Sequence, residues 1–155
     1  MASYPKSGRN NTGVVEDALN QAVAETVVAT MMAQNFHWNV TGMAFGSLHQ
    51  LFQTIYEDHF QAQDELAERV KAIGGFVDGR LAIIIERSTI KDADGTGSDR
   101  EMVAEMAQAE TVIASRMNEV AEKAEQNGDS LTQDLAVARG LVHEKFAWML
   151  NSHLG

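Results

Sequence analysis

Apolar residues recur along the chain with the period of an α-helix, in segments that glycines separate. The segment from about Gly13 to Asn39 repeats them every four residues, at Val15, Leu19, Val23, Val27 and Met31. This spacing predicts one apolar face on a first helix. The only proline is Pro5, so no proline interrupts the chain after it.

A second segment with helical periodicity runs from about Ser47 to Ile73. Gly74 follows it and supplies a C-terminal stop, because glycine accepts the left-handed conformation that ends many helices. The apolar positions of this predicted second helix are Leu48, Phe52, Ile55, Phe60, Leu66, Val70 and Ile73.

Two more helices are predicted in the second half of the chain. One begins at Ser98, where Ser98 and Glu101 have the spacing of a capping box, and ends near Asn127 and Gly128. It carries Met102, Met106, Val112, Ile113, Met117 and Val120. The other begins at Ser130, with Ser130 and Gln133 as a second predicted capping box. It carries Leu131, Leu135, Leu141, Phe146, Trp148 and Leu150.

The connection between the second and third of these helices is long, covering about residues 74–97. A long middle connection is typical of a ferritin-like four-helix bundle, in which it lets those two helices run parallel. Within it, the apolar run Leu81–Ile85 favours a short helix over a strand, because a lone strand would leave its edges unpaired. We therefore expect an all-α fold, with a flexible tail over residues 1–10 and a ferritin-like four-helix bundle over residues 11–155.

The amino-acid composition excludes several kinds of functional site. The 155 residues include no cysteine, which excludes disulfides, thiol catalysis and cysteine metal sites and is compatible with a cytoplasmic location. The net charge of −10 disfavours duplex DNA as a partner. It favours a solvated surface and is also compatible with a surface that attracts cations. Only the tail is basic, through Lys6 and Arg9. No apolar run is long enough to span a membrane.

Candidate chemistry lies on the second predicted helix. His49, Asp64 and Glu68 combine imidazole and carboxylate groups, which suit iron, manganese or zinc. Asp64 and Glu68 are four residues apart and share one face, where like charges repel. Taken alone, the pair is compatible with a merely solvated surface, screened by Arg69 and Lys71.

Helix geometry separates these residues. His49 and Asp64 differ by only about 60° in angle but lie about 22 Å apart along a straight helix. One ion could still take His49 from one chain and Asp64 with Glu68 from another, if two copies of the helix lie antiparallel about a two-fold axis. The motif Glu-x-x-His of a di-iron site within one bundle is absent, and so is His-Glu-x-x-His.

A longer pattern resembles a known family. The run from Asn35 to Gly42 contains His37 and Trp38, His49 follows twelve residues after His37, and Asp64 and Glu68 follow at spacings of fifteen and four. Together these residues resemble the Dps mini-ferritins, the starvation-induced DNA-protecting proteins of the ferritin-like superfamily. The resemblance extends over residues 11–155.

The resemblance implies a function. His37 and His49 of one subunit would meet Asp64 and Glu68 of a two-fold mate and bind ferrous iron, with Trp38 beside the site. Twelve subunits would form a hollow shell that oxidises ferrous iron with hydrogen peroxide or oxygen and stores ferric mineral inside. Zinc would compete with iron at these ligands.

The chain also departs from the family pattern. Most members carry an aspartate four residues after the second histidine, where this chain has Gln53, a neutral and poorer ligand for a hard cation. A weaker or altered second iron position is expected. Glu57 and His59 are weaker candidates to compensate, although His59 is also compatible with a structural role. Tyr56 could trap a radical together with Trp38 or simply pack in the core.

Three alternatives stay open at this stage. The first is that the protein compacts DNA and binds iron or zinc only weakly, although Lys6 and Arg9 are a slender basic footprint. The second is a zinc-occupied or inactive shell. The third concerns iron entry: Asp92, Asp94 and Asp99 could line an acidic pore or belong to a solvated loop.

Overall fold

The computed structural model describes residues 12–155 and shows five α-helices and no strand over that range. They are α1 (Thr12–Asn39), α2 (Phe45–Ala72), α3 (Leu81–Arg87), α4 (Asp99–Gln126) and α5 (Ser130–Asn151). The four long helices and the short one in the middle connection confirm the predicted all-α bundle. The predicted tail, with Lys6 and Arg9, lies outside the described residues.

The helices pack as two hairpins. Helix α1 packs along α2, α4 packs along α5, and the two pairs meet mainly through α1 and α4, while α3 lies against α1. Large apolar side chains with almost no exposed surface fill the centre, among them Leu19, Phe36, Phe52, Met106 and Met117. None of the helices over residues 12–155 is both long and apolar enough to cross a membrane.

The helix ends confirm one predicted cap and correct another. Ser98 is the N-cap of α4, and the reciprocal hydrogen bonds of a capping box join it to Glu101. The predicted box at Ser130 and Gln133 is wrong. Asp129 is the N-cap of α5, and its carboxylate accepts from the backbone N–H of Thr132. An ionised carboxylate is a stronger acceptor there than a serine hydroxyl, so the helix starts one residue after Asp129.

Several apolar residues of the predicted helical stripes lie at the surface instead of in the core. Met31 is 50% exposed and Phe60 is 66% exposed. A strict four-residue repeat advances by about 400°, so each step rotates the stripe by about 40° and carries its end away from the core. The exposed apolar residues of α5 are Leu131, Val137, Leu141 and Trp148. The surface of one chain is therefore more apolar than the periodicity alone suggests.

Candidate metal centre

His37 and His49 form a stacked pair that joins the end of α1 to the start of α2. Their ring centroids are 3.8 Å apart and the rings are inclined by 14°. The Nδ1–H of His37 donates to the carbonyl oxygen of His49 at 2.7 Å, and the Nδ1–H of His49 donates to the carbonyl oxygen of His37 at 2.8 Å. The turn between the helices passes through Gly42, whose φ of 109° suits glycine.

These two hydrogen bonds determine which nitrogen can bind a cation. A carbonyl oxygen only accepts, so each Nδ1 carries a proton, and Nε2 is the ring nitrogen that can offer a lone pair. In metal-bound histidines, the ring nitrogen that does not bind the metal generally donates its N–H to a carbonyl or carboxylate in this way. Both rings are half-buried, and the edge of Tyr56 contacts His37 while Phe45 stacks on His49. The pair thus leaves both Nε2 atoms outside these hydrogen bonds, as the candidate ligand role predicted from the sequence requires.

Asp64 and Glu68 are exposed on α2, away from this pair along the helix. Among the described residues, neither carboxylate forms a hydrogen bond or an ion pair. Arg69, a predicted screening partner, is held instead by Asp129 at 3.0 Å and by the Thr132 hydroxyl at 2.8 Å. The acidic pair is therefore a second, separate half of a potential cation site.

Gln53 and Glu57 are joined one turn below His49. The Nε2 amide of Gln53 donates to Oε1 of Glu57 at 2.8 Å, so its own carbonyl oxygen is the end that could contact a cation. The charge that Gln53 lacks is thus present four residues further along the same helix. Trp38, expected beside the site, is 63% exposed.

His59 belongs to a different cluster, which the sequence interpretation missed. It is fully buried between α2, α4 and α5, where its Nε2 lies 2.5 Å from Oε1 of Glu110. Oε2 of Glu110 lies 2.6 Å from Nδ1 of His143. Asp58 lies 3.0 Å from Nδ1 of His59 and also binds Arg139. Both nitrogens of His59 thus face carboxylates, which favours the structural role over the role of compensating for Gln53.

The electrostatics of this buried cluster follow from those contacts. Burial alone would lower the pKa of His59, but the charge of Glu110 and the hydrogen bond to Asp58 raise it to about 9. Burial would raise the pKa of Glu110, but the charge of His59 and the hydrogen bond from His143 lower it to about 2. Burial lowers the pKa of His143. At neutral pH, His59 is charged and His143 is neutral.

A pH dependence of stability follows from the raised pKa of His59. Folded His59 keeps its proton up to about pH 9, whereas the unfolded group loses it near pH 6.5. The stabilisation is therefore complete below pH 6.5 and is lost as the pH rises through 9, so the melting temperature should fall over that window. His59→Gln should flatten this alkaline limb, and His153→Gln, at an exposed histidine, should leave it unchanged. Equal slopes in all three proteins would contradict the assignment.

A signal for the cluster does exist in the sequence. Glu110 interrupts the apolar stripe of α4 between Met106 and Ile113, and His143 precedes Phe146 on α5 at the same helical spacing. A charged side chain in a buried stripe costs free energy unless it is paired, so each such residue predicts a partner on a facing helix. The partner's identity requires the tertiary arrangement.

Asp94 and Asp99, in and after the loop that precedes α4, accept hydrogen bonds from residues next to them in the sequence. Oδ1 of Asp94 accepts from the backbone N–H and hydroxyl of Thr96, which lowers the pKa of Asp94. Asp99 begins α4, and Oδ1 accepts from the backbone N–H of Arg100. These contacts favour a structural loop, and the pore role of Asp92, Asp94 and Asp99 stays a prediction.

Comparison with known proteins fits this fold. A model of the ferritin-like domain matches residues 16–155. The chain is 37% identical over 138 residues to the DNA protection during starvation protein of Brevibacillus brevis, which covers 88% of this chain and 91% of that protein. It is 33% identical over 138 residues to general stress protein 20U of Bacillus subtilis, which covers 89% and 95%.

Solved structures of related proteins have the same fold as this chain. The crystal structure of Dps from Staphylococcus aureus matches with a TM-score of 0.90 and 37% identity, over 95% of this chain and 99% of that one. A Dps protein from Vibrio cholerae, described as one of the ferritin-like diiron-carboxylate proteins, matches with a TM-score of 0.90 and 25% identity over 100% and 99%. The fold thus defines a ferritin-like protein. Within that class, the chain belongs to the Dps family.

Proposed function

We propose that this protein is an iron-storing mini-ferritin that oxidises ferrous iron at sites shared between two chains. His37 and His49 of one chain and Asp64 and Glu68 of a second copy supply the ligands. Ferrous iron is the substrate, and ferric mineral in a hollow dodecameric shell is the product. The observation that carries this proposal is the separation along α2 of His49, which stacks on His37 of α1, from the acidic pair Asp64 and Glu68.

Distance along α2 supports a second chain. His49 and Asp64 lie about 22 Å apart along the axis, so a single chain cannot bring both to one ion. An antiparallel copy that sets the midpoint of Asp64 and Glu68 opposite His49 has its two-fold axis near position 58 of α2. Two-fold symmetry then makes two equivalent complete sites, one at each end of the paired helices.

The exposed apolar residues support the same pairing. Phe60 lies within about 3 Å of the inferred axis along α2, because it is two residues from position 58. It lines one groove with Met31 and a neighbouring groove with Asp64 and Leu81. An exposed apolar patch beside an incomplete site is typical of a surface that another protein covers. A second copy buries Phe60 in the same step that completes the ligand set.

The donor set suits the chemistry. Two imidazoles with two carboxylates bind ferrous iron well and stabilise ferric iron through the two negative charges. One hydrogen peroxide accepts two electrons from two ferrous ions and gives two hydroxide ions, so no hydroxyl radical is released. The contact between Tyr56 and His37 keeps a phenol beside the reacting ion. Zinc, which prefers the same ligands, should inhibit by competition.

The direct test is an assay of the purified protein with ferrous iron and peroxide. We expect two ferrous ions oxidised per peroxide, a soluble ferric mineral, and a particle about twelve times the mass of one chain. Glu65→Ala, at an exposed acidic residue next to Asp64, is the matched control and should leave the rate unchanged. A monomeric particle, or oxidation no faster than in buffer, would refute the proposal.

DNA compaction is the alternative that a relative's name supports. The Brevibacillus brevis relative is named for DNA protection, but the net charge of −10 opposes binding to a polyanion here. A gel-shift assay distinguishes the two. A shift by the unaltered protein in moderate salt that the Lys6→Ala, Arg9→Ala variant loses would favour DNA compaction over iron storage alone.

A further inference from the structure

The buried cluster around Glu110 contains the donor set of a metal centre. His59, Glu110 and His143 come from α2, α4 and α5, are all fully buried, and place one ligand atom each within 4.8 Å of one another. Two histidines and one carboxylate are ligands typical of non-haem iron and of zinc. Asp58 holds the second nitrogen of His59, as carboxylates do for metal-bound histidines.

Both ring nitrogens of His59 nevertheless carry protons, so neither offers a lone pair to a metal ion. Its Nδ1 faces Oδ2 of Asp58 at 3.0 Å and its Nε2 faces Oε1 of Glu110 at 2.5 Å. Ionised carboxylates only accept hydrogen bonds, so both nitrogens carry protons and the ring is an imidazolium. A cation could bind Nε2 only by displacing the proton that the two carboxylates stabilise.

Arg139 determines the tautomer of His143. Its Nη2 lies 3.1 Å from Nε2 of His143, and a guanidinium only donates, so Nε2 is the accepting nitrogen. The proton of neutral His143 is therefore on Nδ1, which donates to Oε2 of Glu110 at 2.6 Å. The lone pair of His143 thus points to Arg139, and the nitrogen that faces the centre cannot bind a metal.

Arg139 also completes the charge balance. The carboxylates of Asp58 and Glu110 are balanced by the His59 imidazolium and by the Arg139 guanidinium, which contacts Oδ2 of Asp58 at 2.8 Å. A divalent cation that replaced the proton of His59 would leave a net positive charge in the buried interior. Uncompensated buried charge is strongly unfavourable.

We propose that Arg139 keeps divalent cations out of a buried His59–Glu110–His143 metal centre, which binds one cation per chain once position 139 accepts a hydrogen bond from His143. The amide oxygen of Arg139→Gln can accept from Nε2–H, which turns the lone pair on Nδ1 toward Glu110. Its amide N–H can still donate to Asp58. The charge opposing the cation is removed in the same change.

Cobalt(II) binding tests this inference, with Arg139→Lys as the matched control. Lysine keeps the positive charge and only donates, so it should preserve the tautomer of His143. Both changes are made in a His37→Ala, His49→Ala background, where any cobalt bound elsewhere is common to all proteins and cancels in the difference. We expect about one additional cobalt per chain in Arg139→Gln, with ligand-field absorption typical of nitrogen ligands, and none in Arg139→Lys or the background protein.

Two results would overturn the inference. One is a folded Arg139→Gln protein, judged by circular dichroism and a cooperative melt, that binds no more cobalt than Arg139→Lys. The other is an anomalous cobalt peak at Glu110 in soaked crystals of the unaltered protein. If Arg139→Gln does not fold, neutron diffraction of the unaltered protein decides the matter. Deuterium on Nδ1 of His143 and on both nitrogens of His59 is expected, and deuterium on Nε2 of His143 contradicts the role of Arg139.

Discussion

Asp64→Ala and His49→Ala should each slow peroxide-driven oxidation of ferrous iron by more than about 100-fold. Loss of groups that merely orient metal ligands costs up to about that factor, and these changes remove ligands themselves. The measurement is the initial rate of ferric-iron absorbance at limiting iron. Asp64 is exposed, so Asp64→Ala should melt like the unaltered protein. His49→Ala also loses the stacking on His37 and a hydrogen bond to it, so its rate is measured at a temperature where circular dichroism shows it folded.

Mixing the two inactive variants should restore activity. If His49→Ala and Asp64→Ala chains are refolded together in equal amounts, half of the two-fold pairs are mixed on random assembly. Each mixed pair has one site with all its ligands and one that lacks ligands from both chains. About a quarter of the sites should then be intact, with about a quarter of the unaltered rate.

The mixture distinguishes a shared site from a site within one chain. A site formed by one chain alone would be defective in every chain, so the mixture would stay inactive. His49→Ala mixed with His37→Ala is the control, because both changes fall on the same half and no pairing completes a site. Restoration in that control, or none in the test mixture, would refute the pairing of α2 helices. This result is independent of the Arg139 inference.

Glu110→Gln should lower the free energy of unfolding by about 3–5 kcal/mol, the cost typical of breaking a buried charge pair. Both oxygens of Glu110 accept, one from His59 and one from His143. Glutamine offers one accepting oxygen, and its NH2 group would meet an N–H of a histidine. It also leaves the His59 imidazolium with only Asp58 to balance it. Urea denaturation measures the loss.

Glu122→Gln is the matched control for this change, because Glu122 lies on the same helix and is exposed. An exposed substitution of this kind should alter the free energy of unfolding by less than about 0.5 kcal/mol. If Glu110→Gln is as mild as Glu122→Gln, the cluster does not contribute the proposed charge pairing.

The two candidate cation sites differ in what completes them. His37 and His49 hold their Nδ1 atoms on backbone carbonyls at a half-buried surface, and in the proposed function the carboxylates of a second chain complete their ligand set. The cluster of His59, Glu110 and His143 is complete within one chain but is filled by protons and closed by Arg139. The two sets of histidines thus differ in what holds their ring nitrogens. Backbone carbonyls accept from His37 and His49, whereas His59 lies between two carboxylates and His143 lies between Glu110 and Arg139.

The sequence alone predicted the four long helices and the separation of the candidate ligands along α2. Apolar periodicity predicted the four long helices, because the spacing of apolar residues along one segment is enough to show that a helix there would have one apolar face. The box of Ser98 and Glu101 was correct, whereas the box at Ser130 was wrong because Asp129 competes for the same cap. The separation of His49 from Asp64 also needed only the helical rise of 1.5 Å per residue.

Only the tertiary structure decided what the buried polar residues contact. Periodicity placed Met31 and Phe60 in the core, but both are exposed. The drift of a four-residue repeat carries Met31 to the surface, and Phe60, five residues after buried Ile55, is turned about 140° away from it. Glu110 meets His59 and His143 only after three helices pack, and spacing along one helix carries no information about a facing helix. The chemistry of each histidine here depends on which group lies opposite its second nitrogen, and folding alone brings that group into place.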